Sequence, residues 1–187
     1  MKRFVVVALL LLLACGRGGE PVAIPPDRIP FPLSRSIQPE PPGAPTKRFR
    51  ITFVRRGFLT LLPREESSRL PLEEVAVRAL LDGPTDPEQD RGNSTEIPPS
   101  TRLLGLEVVD QVADVDLSQE FQGAASSRGF QLRVAQVVTT LVQIEGVIAV
   151  RFAIDGQVVS VPTGKGEIVD RPVTAADYAG LRRKPGG

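Results

Sequence analysis

Asp114 and Asp116 stand two apart in the run Val112-Ala113-Asp114-Val115-Asp116-Leu117. At strand spacing both carboxylates project from one face, where paired acids could bind a cation or divide the roles of acid and base. A calcium or magnesium site needs more oxygen ligands than two side chains supply, and no calcium-loop spacing lies nearby. The solvated face of a half-buried strand is the simpler expectation. Gly164-Lys165-Gly166 has the composition of a phosphate loop but fails its pattern. Val159 stands where the first glycine belongs, and Gly166 where a metal-binding Ser or Thr belongs. A flexible loop is expected there. Ser126-Ser127 has no base beside it, since the chain contains no histidine, and reads as a helix cap. The missing histidine also excludes Ser-His-Asp and Cys-His nucleophile systems and His-ligated metals. A single cysteine, Cys15, excludes an intrachain disulfide. The lack of tryptophan and the single tyrosine leave little for stacking on sugars or bases.

The elements that carry these residues follow from periodicity. Phe49, Ile51 and Phe53 alternate with Arg50 and Thr52 as a first strand. Arg55-Arg56-Gly57 is a solvated turn, and Phe58 to Leu62 form a second strand stopped by Pro63. Pro71 opens a helix in which Leu72, Val75, Ala76, Ala79 and Leu80 share one face, and Asp82-Gly83-Pro84 ends it. Residues 84–100 read as a surface loop. Leu104, Leu106 and Val108 mark a third strand; Ala113, Val115 and Leu117 mark a fourth. A second helix is predicted over 127–145, with Phe130, Val134, Val137, Val138, Leu141 and Ile144 on its main face. Ile148, Val150, Phe152 and Ile154 alternate with Ala149, Arg151 and Ala153 as a fifth strand, and Asp155-Gly156 is a tight turn. Residues 162–178 read as a looser arm. If the apolar set faces the helices, parity turns Arg50, Thr52, Asp114, Asp116 and Arg151 outward, with Ala149 and Ala153 beside them. These form the candidate interaction face.

The ends of the 187-residue chain differ from this middle. Lys2 and Arg3 precede an apolar run from Phe4 to Ala14, too short to span a bilayer and fitting the core of a secretory signal. The run closes Leu12-Leu13-Ala14-Cys15-Gly16, which resembles the bacterial lipobox, in which cleavage precedes a cysteine that receives diacylglycerol. That predicts a signal peptide over 1–14 and lipidation at Cys15. Nine prolines crowd residues 16–46, so 15–46 reads as a semi-extended tether. The domain is expected over 47–178, and a disordered tail over 179–187. With 23 basic and 22 acidic residues, the chain carries a formal charge of +1. No large positive excess marks a nucleic-acid binder.

Four stretches together resemble the GerMN domain, named for sporulation and spore-germination lipoproteins. They are Ala79-Leu80-Leu81-Asp82-Gly83-Pro84; Glu96-Ile97-Pro98-Pro99-Ser100-Thr101-Arg102-Leu103-Leu104; Val112 to Ser118 with Glu120-Phe121; and Gln136-Val137-Val138-Thr139-Thr140-Leu141 followed by Val147 to Gly156. The family often has a tyrosine where Val138 precedes Thr139. The resemblance spans about residues 49–178. It implies a single α+β domain, a small mixed sheet packed against two main helices, similar in design to the ring-building modules of secretion and sporulation machines. It implies no established catalytic residues. No cofactor and no metal site are expected.

The expectation is an extracytoplasmic lipoprotein, held to the cell membrane through Cys15. Its domain would act as a non-catalytic interaction module toward another envelope protein or peptidoglycan, with a second copy of the chain also open as a partner. The rival expectation is a carboxylate-dependent cell-wall hydrolase using Asp114, Asp116 or Glu120. A hydrolase needs two carboxyl groups facing each other across a cleft. A third reading, a small-ligand carrier, would need a sizeable apolar pocket.

Overall fold

The alternation of apolar residues that begins at Phe49 lies within residues 43–182, which a computed structural model of the protein describes. The expected signal peptide, Cys15, most of the expected tether and residues 183–187 lie outside the described residues. Strand β1 (Thr46–Arg55) and strand β2 (Phe58–Ser67) form a hairpin in full antiparallel register. Its turn is Arg56-Gly57, both with positive φ (52° and 76°), the geometry that a two-residue loop requires. Pro63 does not stop β2. It pairs with Arg50 inside the strand, and β2 tolerates it because it is the edge of a sheet ordered β2-β1-β3.

Helix α1 (Leu72–Asp82) begins directly after Pro71, carries Glu73 and Glu74 in its first turn, and ends at Gly83 with φ 84°. The expected loop over 84–100 contains two further elements. One is the single-turn helix α2 (Asp86–Asp90), held by reciprocal bonds between Thr85 and Glu88; the other is the short strand β3 (Asn93–Ser94), which pairs with the end of β1.

Strand β4 (Leu103–Val109), strand β5 (Val112–Leu117), strand β6 (Ala149–Ile154) and strand β7 (Gln157–Val158) form a mixed sheet in that order. β5 and β6 are parallel, so the chain must cross over between them. Helix α3 (Ser127–Leu141) makes the crossover. Its N-cap Ser126 accepts the Gly129 amide at 3.0 Å, as its position before the helix predicts. A bulge between Leu103 and Gly105 shifts the register of β4, leaving Leu104 at 48% exposure rather than inside. Ile148, expected inside, precedes β6 and is likewise exposed.

Strands β8 (Val161–Pro162) and β9 (Ile168–Val169) form a small third sheet, followed by a 3-10 helix over Ala175–Leu181. The C-terminal arm therefore belongs to the domain. Tyr178 and Leu181 are buried, the Tyr178 hydroxyl donates to the Pro162 carbonyl at 2.9 Å, and Arg182 bridges to Leu59. The tail expected from residue 179 does not begin there. The core residues run from Phe49 to Leu181 in one cluster. At its centre Phe121 stacks on Phe152, with centroids 5.9 Å apart, and meets Phe130 at 6.3 Å. The α+β class expected from the sequence is the class observed.

Candidate functional site

Parallel pairing of β5 with β6 sets Asp114 beside Arg151 and Asp116 beside Ala153. On the core side the same register stacks Ala113, Val115 and Leu117 against Val150, Phe152 and Ile154, all buried. The acids must therefore face away from the core. Arg151 closes on Asp114 through one guanidinium nitrogen, 3.1 Å from Oδ1 and 3.4 Å from Oδ2. Both side chains stay about two-fifths exposed, at 43% and 42%. Asp116 accepts the Gly156 amide at 3.0 Å and so ties the Asp155-Gly156 turn to β5. Arg151, Ala153, Val158 and the two aspartates line a shallow hollow of about 170 Å³. Val158, on the short edge strand β7, is 67% exposed. The hollow joins one ion pair, one acid held by a backbone amide and one apolar rim.

Two residues expected on this face are elsewhere. Arg50 is exposed, but on β1, in a different sheet from Asp114 and Arg151. Thr52 is fully buried. Parity assumed that β1 has a solvated face, yet every residue from Ile51 to Val54 is buried, because α1 and α3 both pack on this strand. Ala149 is also buried, at 6% exposure. The face thus narrows to Asp114, Asp116 and Arg151, with Glu107 of β4 standing next to Asp114 in the register.

The carboxylates do not form a hydrolytic pair. Asp114 and Asp116 point the same way from one strand, the first bound by Arg151 and the second by a backbone amide. Glu120 is carried beyond β5 on a 3-10 turn over Gln119–Gln122. A hydrogen bond from the Ser118 hydroxyl holds its carboxyl below the usual range, the wrong direction for a general acid. Among the described residues no group of three His, Cys, Asp or Glu stands close enough to hold a metal ion.

The polar residues that sequence reasoning missed are inside. Arg133 is 3% exposed and donates to the carbonyls of Glu96 (2.7 Å), Phe121 (2.6 Å) and Gly123 (3.0 Å), with its guanidinium 5.6 Å above the Phe130 ring centroid. Burial lowers its affinity for the proton. Gln136 accepts the Glu96 amide at 2.9 Å and donates to the Thr52 carbonyl and the Thr95 hydroxyl, both at 3.2 Å. These side chains sew loop segments to α3. Their polarity within an apolar helical face was the only signal. Arg64 and Glu88 form a further enclosed pair at 2.6 Å, about one-eighth exposed. Gly164 proves to be a packing residue: its amide donates to the Asp177 carbonyl at 2.9 Å, and a Cβ there would stand 2.9 Å from that same oxygen.

An α+β domain with a parallel crossover through α3 is what these observations define. The chain belongs to the Germane family of sporulation and spore germination, whose profile matches residues 47–160. No curated protein matches it. Solved structures share the fold. The tandem GerMN domains of the sporulation protein GerM from Bacillus subtilis align with a TM-score of 0.57 at 18% identity, over 74% of this chain and 49% of that one. The chain thus spans about half of that tandem structure. The first GerMN domain of the same protein aligns at 0.53 and 18% identity, over 70% of this chain and 98% of that one. A candidate lipoprotein from Clostridium perfringens aligns at 0.50 and 20% identity, over 75% of this chain and 94% of that one. Among the described residues no helix is long and apolar enough to cross a membrane.

Proposed function

We propose that this protein is a lipid-anchored, extracytoplasmic member of its family whose domain is a non-catalytic interaction module, binding another envelope protein or the cell wall. The observation that carries the reading is the outer face of the mixed sheet. There the Asp114–Arg151 pair remains two-fifths open to solvent beside Asp116, Ala153 and the exposed Val158. A half-exposed pair contributes little to folding but offers a partner both signs of charge and an apolar rim. Attachment through diacylglycerol on Cys15 would keep this face near the membrane, where partner concentration is raised by tethering. The lipoprotein likeness of the Clostridium perfringens neighbour agrees with that placement.

Capture from intact envelopes tests it. Asp114→Lys and Arg151→Glu are expected to lose the partner captured by the wild-type chain while keeping its circular dichroism melt. Unchanged capture by both variants removes this face as the interface.

A further inference from the structure

The tip of the β1–β2 hairpin gathers cations that stand outside the ion pairs of the described residues. Arg55 and Arg56 lie at the turn, and the Arg128 guanidinium reaches it from α3, donating to the Gly57 carbonyl at 3.4 Å. Asn93 pairs with Arg55, which brings Arg91 to the same end of the domain. Arg182 bridges Leu59, the second residue of β2. All five arginines are exposed. None takes part in the ion pairs of the described residues, which engage Arg48, Arg64, Arg78, Arg151 and Arg171. Asp90 adjoins Arg91 in sequence, and the Glu96 carboxylate lies against Gly129, the residue after Arg128. In a chain of formal charge +1, this is a local concentration of positive charge. Phe58 sits within it, 39% exposed at the start of β2.

Guanidinium groups grip phosphate oxygens through paired N–H donors. A soluble polyanion would satisfy the arginines alone. A phenylalanine ring held open among them suits a surface that is charged outside and apolar just beneath, since Phe side chains of interfacial elements bury at the headgroup–acyl boundary. We propose that this hairpin tip docks on a bilayer containing anionic phospholipid, with the arginines on headgroup phosphates and Phe58 at the headgroup–acyl boundary. This contact is separate from acylation at Cys15 and uses a different sheet from the Asp114–Arg151 face. It would hold the domain against the membrane by a second attachment.

The test uses the chain from Gly43 to Gly187, which contains the whole core cluster and no acyl site. It is sedimented with vesicles of phosphatidylcholine, alone or mixed with phosphatidylglycerol. Binding is expected to the mixed vesicles only and to fall with added salt. Arg128→Gln is expected to weaken it roughly fivefold, the Arg55→Glu, Arg56→Glu double variant more than tenfold, and Phe58→Ala measurably, all with unchanged thermal melts. Arg50→Glu, a larger charge change than Arg128→Gln but away from the tip, is expected to bind like the wild type. No binding to phosphatidylglycerol vesicles at low salt, or an equal loss in Arg50→Glu, overturns the proposal. Equal binding to soluble polyphosphate with no effect of Phe58→Ala also overturns it, by assigning the patch to a dissolved polyanion.

Discussion

Thr52, in the middle of β1, donates its amide to the hydroxyl oxygen of Thr140 at 3.0 Å, across 88 residues of sequence. Its carbonyl accepts from Gln136, one turn earlier on the same helix. β3 covers β1 only at Val54 and Arg55, so beyond that point α3 supplies the partners that a neighbouring strand would give. An open sheet edge is thereby closed by helix side chains.

Thr140→Val removes the acceptor and leaves a buried amide unpaired. A loss of about 1–3 kcal/mol is expected, read from urea unfolding. Thr139→Val, one residue away, is expected to cost less, because the Thr139 hydroxyl donates only to the Ala135 carbonyl of its own helix. Equal losses would show that the contact across the edge is worth nothing.

Arg133→Met keeps the apolar length of the side chain but strips the donors from three carbonyls. The expected loss is on the order of 3 kcal/mol. It should come with faster hydrogen exchange in the segments around Glu96 and Phe121, which the guanidinium pins.

Asp177 gives the domain an acid limb. The Arg171 guanidinium, 2.8 Å away, and the Thr174 amide and hydroxyl hold its carboxyl at about 2, below the ordinary 3.8. A lowered value means that the stabilisation is fully present above the unfolded value, near pH 4, and is lost as pH falls through about 2. Arg171 is half exposed, so solvent screening trims the contribution to on the order of 1–2 kcal/mol. Asp177→Asn is expected to lower stability by that amount at neutral pH and to converge with the wild type near pH 2. Parallel melting curves from pH 6 to 2 check it.

For the anchor, Cys15→Ser in the full precursor is expected to block processing or to release the protein from the membrane fraction. Mass spectrometry of the wild-type N-terminus should find diacylglycerol on Cys15.

Much of this was legible because strands with one wet face write their parity plainly. Ala113, Val115 and Leu117 against Asp114 and Asp116, and Val150, Phe152 and Ile154 against Arg151, lie as alternation predicts. Ser126 caps α3 for the same local reason. Thr52 failed because alternation cannot reveal a strand covered on both faces. Leu104 failed because a bulge shifts the phase by one residue. Thr85-Asp86-Pro87-Glu88 did hold a legible helix start, a capping pair with proline at the second position, hidden by its loop-like composition. Arg133, Gln136 and Thr140 could not be assigned from sequence, since their partners are backbone groups brought near only by the fold.

The crossover has a consequence in time. The hairpin closes locally and is made before α3, yet the groups that seal its edge are made 84 and 88 residues after Thr52. Until α3 arrives, Thr52 keeps a dangling amide and carbonyl beside the apolar Ile51, Phe53 and Val54. Folding must wait on this long-range closure, and the rate of such closure falls with the separation of the residues it joins. An incomplete chain, cut short before α3, would present a sticky half-sheet to whatever handles it.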